Sequence, residues 1–203
     1  MGDEHAFQPL TLENRALQDE GVMTFIQTGV AHVIRREGQR TLLYLDTSKT
    51  DPTLYSRECA LRGTLYLFHA LVEDELVQRH GVIILMYNEQ MSSRNRDPPL
   101  TKSIFQLFKG ALPMRLSAIH CFKVPPVYNF VLTFLLVLIG SYLRKRVILH
   151  EDDTAKYLKK LEDVYDIGRE DLPSDMGGVN KLDIENWILS REREHRWLSI
   201  DDM

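Results

Sequence analysis

The chain has 203 residues, of which 25 are basic and 29 acidic, for a formal net charge of -4; 44% are hydrophobic and 27% charged. This is a globular rather than a disordered composition, sized for one domain with an appendage, and it lacks the basic excess of a nucleic-acid binder. Two cysteines, Cys59 and Cys121, exclude a disulfide framework. With an acidic N-terminus that carries no apolar run, they point to a reduced, intracellular setting.

Residues 1–10 read as a loose tail. Thr11 is the expected N-cap of a first helix with Leu12, Leu17, Val22 and Phe25 as its apolar stripe. Gly29 and Gly38 punctuate the stretch after that helix. Residues 41–45 form a short apolar strand, and a loop runs from Asp46 to Pro52. From Thr53 to about Arg79, Leu54, Leu61, Leu65, Phe68 and Val72 recur at helical spacing, and His80-Gly81 ends that helix. Residues 82–87 are uniformly apolar, as in a strand buried on both faces. A proline-containing loop spans 92–99, and a helix spans 101–107. Residues 116–122 form the next buried strand, and 147–150 a short last one. Asp153 or Thr154 caps a helix with Ala155, Leu158, Leu161 and Val164 on one face, ending at Gly168. A final helix over 183–197 buries Ile184, Trp187 and Ile188, and its run from Arg191 to Arg196 reads as a solvated face. Strands alternating with long helical connections predict a mostly parallel sheet.

No P-loop, GxGxxG, GxSxG or HExxH motif is present. Ser117, His120 and Cys121 share one strand and cannot form a local triad, so His120 reads as a core histidine. His150-Glu151-Asp152-Asp153 reads as acidic residues at a helix N-terminus rather than as metal ligands. The chain is therefore expected to be non-enzymatic and to use no cofactor.

The most informative stretch is Val124–Leu143, which has 20 residues without a charge, 14 of them hydrophobic, followed by Arg144-Lys145-Arg146. Helix cannot sensibly begin before Pro126. The remaining 17 residues would reach about 26 Å, short of a bilayer core of about 30 Å. A true span would also place strands 116–122 and 147–150 on opposite sides of a membrane. The alternative is a helix of the α/β domain whose outer face meets a partner, a membrane surface or a bound lipid. The basic triplet suits the helix C-terminus and anionic headgroups alike.

Several motifs, in order, resemble the CRAL-TRIO lipid-binding family. Leu172-Pro173-Ser174-Asp175-Met176-Gly177-Gly178, followed by Trp187, is similar to its closing "LP-x-x-x-GG" loop. Gly81–Tyr87 is similar to its central strand. Leu112-Pro113-Met114-Arg115-Leu116, with Ile119 and Pro125, is similar to "YP-x-R-x … I-x-x-x-x-P". The apolar helix, basic residue, strand and histidine complete the set. The chain departs from the family pattern at Tyr87, usually acidic, at Lys123, usually asparagine, at Met114, and at Leu143 and Arg146, where phosphatidylinositol binders carry threonine and lysine.

The resemblance implies an α/β fold: a mostly parallel sheet flanked by helices, with Val127–Leu143 as an apolar gate over a lipid cavity. Residues 1–40 would be a tail and helix, the remnant of a helical N-terminal region, and 41–203 the lipid-binding domain. The implied ligand-binding residues are Ser92, Arg115, Arg146, Tyr87, Phe105, Phe122, Phe130 and Phe134. Val127, Val131, Leu135, Leu138, Arg144 and Lys145 would contact the membrane. The expected function is non-enzymatic binding and transfer of a phospholipid or other small lipid between membranes. The expected partners are a lipid ligand and, peripherally, a membrane surface, with no nucleic acid and no protein partner identified. The expected location is cytoplasmic and transiently membrane-associated. The alternative is a protein–protein scaffold that keeps the fold without the cavity.

Overall fold

The computed structural model describes residues 16–110, 115–126, 141, 144–150 and 153–198. After a 3-10 turn at Ala16–Gln18 come helix α1 (Glu20–Gln27) and the hairpin β1 (Ala31–Arg36) and β2 (Gln39–Asp46). Helices α2 (Arg57–Val72) and α3 (Glu75–His80) lead to β3 (Val82–Tyr87), and α4 (Pro98–Gly110) leads to β4 (Leu116–Phe122). Next come β5 (Val147–His150), α5 (Thr154–Tyr165) and α6 (Ile184–Leu198).

The five strands lie in sequence order. β2, β3, β4 and β5 run parallel, and β1 pairs antiparallel with β2. Right-handed crossovers between sequential parallel strands place their helices on one face. α2, α3 and α4 accordingly pack with α1 and α6 over what we call face one, around Leu43, Val82, Ile84 and Ile119. Face two carries Leu42, Tyr44, Ile83, Leu85, Tyr87 and Phe122 under α5 and the 167–176 loop. Strands between two covered faces must be apolar on both, which is why the unbroken runs 82–87 and 116–122 mark β3 and β4.

The 172–178 motif has a physical basis. Gly177 adopts φ +79, a conformation that β-carbons disfavour, and a Cβ at Gly178 would overlap the Leu172 carbonyl. That carbonyl accepts the Asn180 N–H at 2.9 Å, while Leu172 and Met176 are buried against face two. The Tyr157 hydroxyl of α5 donates to the Met176 carbonyl at 3.0 Å and fixes the loop over the sheet.

Four sequence readings are corrected. β1 was not anticipated; it is half of a hairpin turning through Glu37 and Gly38, the latter at φ +67. The single helix expected over 53–79 is two helices. Ser56 caps α2 and Asp74 caps α3, and Asp74 also accepts the Thr41 N–H at 2.9 Å, which ties the break to β2. Leu54 and Val164, expected on apolar faces, are exposed. Finally, Arg191 is not on a solvated face. It is 1% exposed, and Glu73 grips it with two 2.6 Å bonds while Glu194 and the Tyr66 hydroxyl add a third and fourth. Burial opposes its charge, but these partners hold its pKa above the usual arginine value.

The first helix starts after Asp19, whose side chain accepts the Val22 N–H; the Thr11 and Leu12 positions lie outside the described residues. The boundary expected at residue 40 falls inside β2. Before it, Val22, Phe25 and Ile26 of α1 join the same core as α2.

Candidate functional site

The register across the sheet aligns two rows of side chains on face one. Leu43, Ile84, Ile119 and Val147 form the first, and Leu45, Met86, Cys121 and Leu149 the second, nearer the strands' carboxyl ends. Cover thins from the first row to the second on three of the four strands. Leu43, Ile84 and Ile119 are buried and Val147 is half-buried; in the second row Cys121 stays buried, but Leu45 and Met86 are only half-buried and Leu149 is 42% exposed. Ile104 of α4 and Val124, just past β4, are also half-buried beside this core. The result is an apolar floor that the described helices cover incompletely. The chain leaves the carboxyl end of β4, beside this floor, through Lys123 to Pro126, and it re-enters the sheet at the opposite, amino end of β5. Lys123 sits at φ +53, the left-handed region that asparagine tolerates well.

The opposite, amino ends of the strands are basic. Arg146 Nη1 donates to the Ser117 carbonyl at 3.2 Å. Arg40 Nη1 donates to Ser117 Oγ at 3.1 Å and to the His80 and Gly81 carbonyls at 3.3 and 3.4 Å. Arg115 is exposed, and neither Arg40 nor Arg115 has a carboxylate partner among the described residues. Burial, then the neighbouring Arg36 guanidinium, lowers the Arg40 pKa. Gly81 makes this end possible: at φ +83 it meets the Arg115 backbone, where a Cβ would lie 2.6 Å from the carbonyl oxygen. Arg144 and Lys145 are exposed nearby in the chain.

The sequence-predicted site residues separate into distinct places. Arg115 and Arg146 lie at the amino ends. Ser92 lies beyond the carboxyl end of β3, where its hydroxyl donates to Asn95 Oδ1 at 2.7 Å. Parallel strands hold those two ends apart, so Ser92 and Arg146 are not brought together. Tyr87 and Phe122 are buried on face two. Phe122 stacks on His150 at 4.4 Å and meets Tyr157 at 4.9 Å between ring centroids. Tyr87 donates to Glu89, and its burial raises its pKa. Phe105 lies on α4, and its side chain is outside the described set. Val127, Phe130, Val131, Phe134, Leu135 and Leu138 also lie outside the described residues.

His120 is a core histidine, as expected. It is fully buried, with Nδ1 2.9 Å from His150 Nε2 and its ring edge-on to Tyr165 at 4.3 Å. Burial, then His150, pushes its pKa down to about 3. Asp153 caps α5 by accepting the Lys156 N–H at 2.9 Å, which is the helix-terminus role read from the sequence. The half-covered floor residues Leu45, Met86, Leu149, Ile104 and Val124 were missed. Period-two alternation combined with register identifies them, but only once the strands are aligned.

Against this geometry, the family model described as CRAL/TRIO domain matches residues 33–178. The chain belongs to the CRAL/TRIO family. It is 25% identical to mouse tyrosine-protein phosphatase non-receptor type 9 over 136 residues, covering 67% of this chain and 22% of that protein. It is 25% identical to Clavesin-1 of Xenopus laevis over 182 residues, covering 86% of this chain and 53% of the relative. The chain thus spans about a fifth of the phosphatase and about half of Clavesin-1. Its fold is similar to that in the crystal structure of Sfh5, with a TM-score of 0.61 at 13% identity, over 88% of this chain and 69% of the other. The mostly parallel α/β architecture and the family resemblance read from the motifs therefore hold. Among the described residues, no helix is long and apolar enough to cross a membrane.

Proposed function

We propose that this chain binds a lipid non-catalytically and carries it between membranes. The observation that carries the reading is the incompletely covered apolar floor of Leu45, Met86 and Leu149, set around the buried Cys121, in a CRAL/TRIO fold. The lipid's apolar part lies on this floor, and the uncharged 127–143 segment closes over it. Phe130 and Phe134 face the ligand, while Val127, Val131, Leu135 and Leu138 meet the bilayer. Each such side chain buried against lipid contributes about 1.5–3 kcal/mol. Arg144 and Lys145 add attraction to an anionic surface, about 1 kcal/mol each. An anionic headgroup is met by Arg115 and Arg146, since arginine's planar fork suits a phosphate.

A vesicle-to-vesicle transfer assay with a fluorescent phospholipid tests this reading. Phe134→Asp and Met86→Glu each place a carboxylate against the apolar ligand and should lower transfer at least tenfold. Wild-type transfer by both folded variants would overturn the reading. A well-folded protein that never takes up lipid would instead be a protein–protein scaffold on the same fold.

A further inference from the structure

Among the described residues β5 is the outer strand of the sheet, paired with β4 on one side only. The Ile119 N–H donates to the Arg146 carbonyl at 2.8 Å. In a parallel ladder this turns the backbone groups of Arg146, Ile148 and His150 towards β4, and those of Val147 and Leu149 outward. The outward N–H and C=O groups have no partner among the described residues. Both side chains point to face one, where Leu149 is the exposed end of the apolar row and Val147 is half-buried. An apolar edge of this kind is a template for another strand.

The flanks of β5 indicate which strand. Arg144-Lys145-Arg146 precede it and Glu151-Asp152-Asp153 come after it. Arg144, Lys145 and Asp153 are exposed. The edge therefore runs from positive to negative along its length. A parallel copy would set like charges together, whereas a reversed copy sets opposite charges together.

We propose that β5 is a homotypic docking edge: two copies of this chain pair β5 with β5 antiparallel, about a two-fold axis at Ile148. The two five-stranded sheets then become one continuous sheet. In this register Val147 of each copy faces Leu149 of the other and exchanges the outward hydrogen bonds. The four aliphatic side chains share face one and shield one another. Each basic flank lies along the acidic flank of the second copy. The contact is isologous, so it closes at two copies and does not propagate. Strands this short bury little area, so the dimer is weak and depends on concentration.

Sedimentation velocity of the full chain, without lipid, from about 1 µM to about 500 µM, tests the proposal over the range of weak association. The expected result is a monomer–dimer equilibrium that weakens as salt rises. Lys145→Glu sets like charges against each other twice per dimer and should raise the dissociation constant about five- to tenfold. Adding Glu151→Lys in the same chain should restore it. Val147→Pro removes an outward donor while leaving the β4 hydrogen bonds intact, and should abolish the dimer with an unchanged circular dichroism spectrum. A monomer throughout the range would overturn the proposal. So would a dimer that Val147→Pro leaves intact, which would place the interface on another face, or a charge swap that fails to restore association.

Discussion

Arg191→Met removes a guanidinium from the interior while keeping the apolar stem that packs between α6 and α2. Arg191 makes two 2.6 Å bonds to Glu73, one of 2.6 Å to Glu194 and one of 3.2 Å to the Tyr66 hydroxyl. Breaking a buried ion pair by deleting one partner costs about 3–5 kcal/mol. Here the carboxylates left behind are 37% and 41% exposed at the side chain, so water recovers part of the loss. We therefore expect the lower end, about 3 kcal/mol. With a urea m-value of about 2 kcal/mol/M, the unfolding midpoint should fall by about 1.5 M. Arg191→Lys keeps the charge but loses the fork, and should fall between the two. Equilibrium urea unfolding followed by circular dichroism reads all three proteins. A midpoint within about 0.3 M of wild type for Arg191→Met, at unchanged slope, would refute the view that this residue latches α6 to α2.

His32 and His120 are held neutral in the fold, chiefly by burial, with pKa values pushed down from 6.5 to about 4 and about 3. The unfolded chain binds protons that the fold refuses, so stability is full above pH 6.5 and is lost as pH falls towards those values. The slope should approach about 3 kcal/mol per pH unit between pH 6 and 4.5; denaturant midpoints that stay flat over that window would count against the buried neutral pair. Gly178→Ala drives a methyl into the Leu172 carbonyl and should lower the thermal midpoint by about 5 °C or more, whereas a midpoint equal to wild type would mean that the loop yields freely. Binding to anionic vesicles should weaken with salt through Arg144 and Lys145, as measured by co-sedimentation between about 50 and 300 mM. Salt-independent binding would remove the electrostatic contribution.

How much could be read from the sequence depended on how local the determining contacts are. β3, β4 and β5 match the expected ranges 82–87, 116–122 and 147–150; for β3 and β4 this is because a strand covered on both faces is a continuous apolar run, whereas β5 shows as a short aliphatic run although Leu149 is exposed. β1 carries His32, Arg35 and Arg36, which break any such run, and its partner strand makes it legible. The Glu37-Gly38 turn was the available signal. Arg191 sits in an Arg/Glu repeat that is locally indistinguishable from a solvated helix face; Glu73, 118 positions away, decides its burial. The candidate site divides in the same way. Arg115 and Arg146 were implied by the family resemblance. Their separation from Ser92 needed the parallel topology, and the distinction between Met86 and Tyr87 needed the two faces of one strand.

The most direct test of the account is to purify the chain from cells, extract it with organic solvent, and quantify lipid per protein by mass spectrometry, alongside Met86→Glu. A lipid present at close to one per chain, and lost from the folded variant, is the predicted result. A wild-type protein that emerges empty, and stays empty after incubation with phospholipid vesicles, would contradict the claim that the half-covered floor of face one holds a lipid.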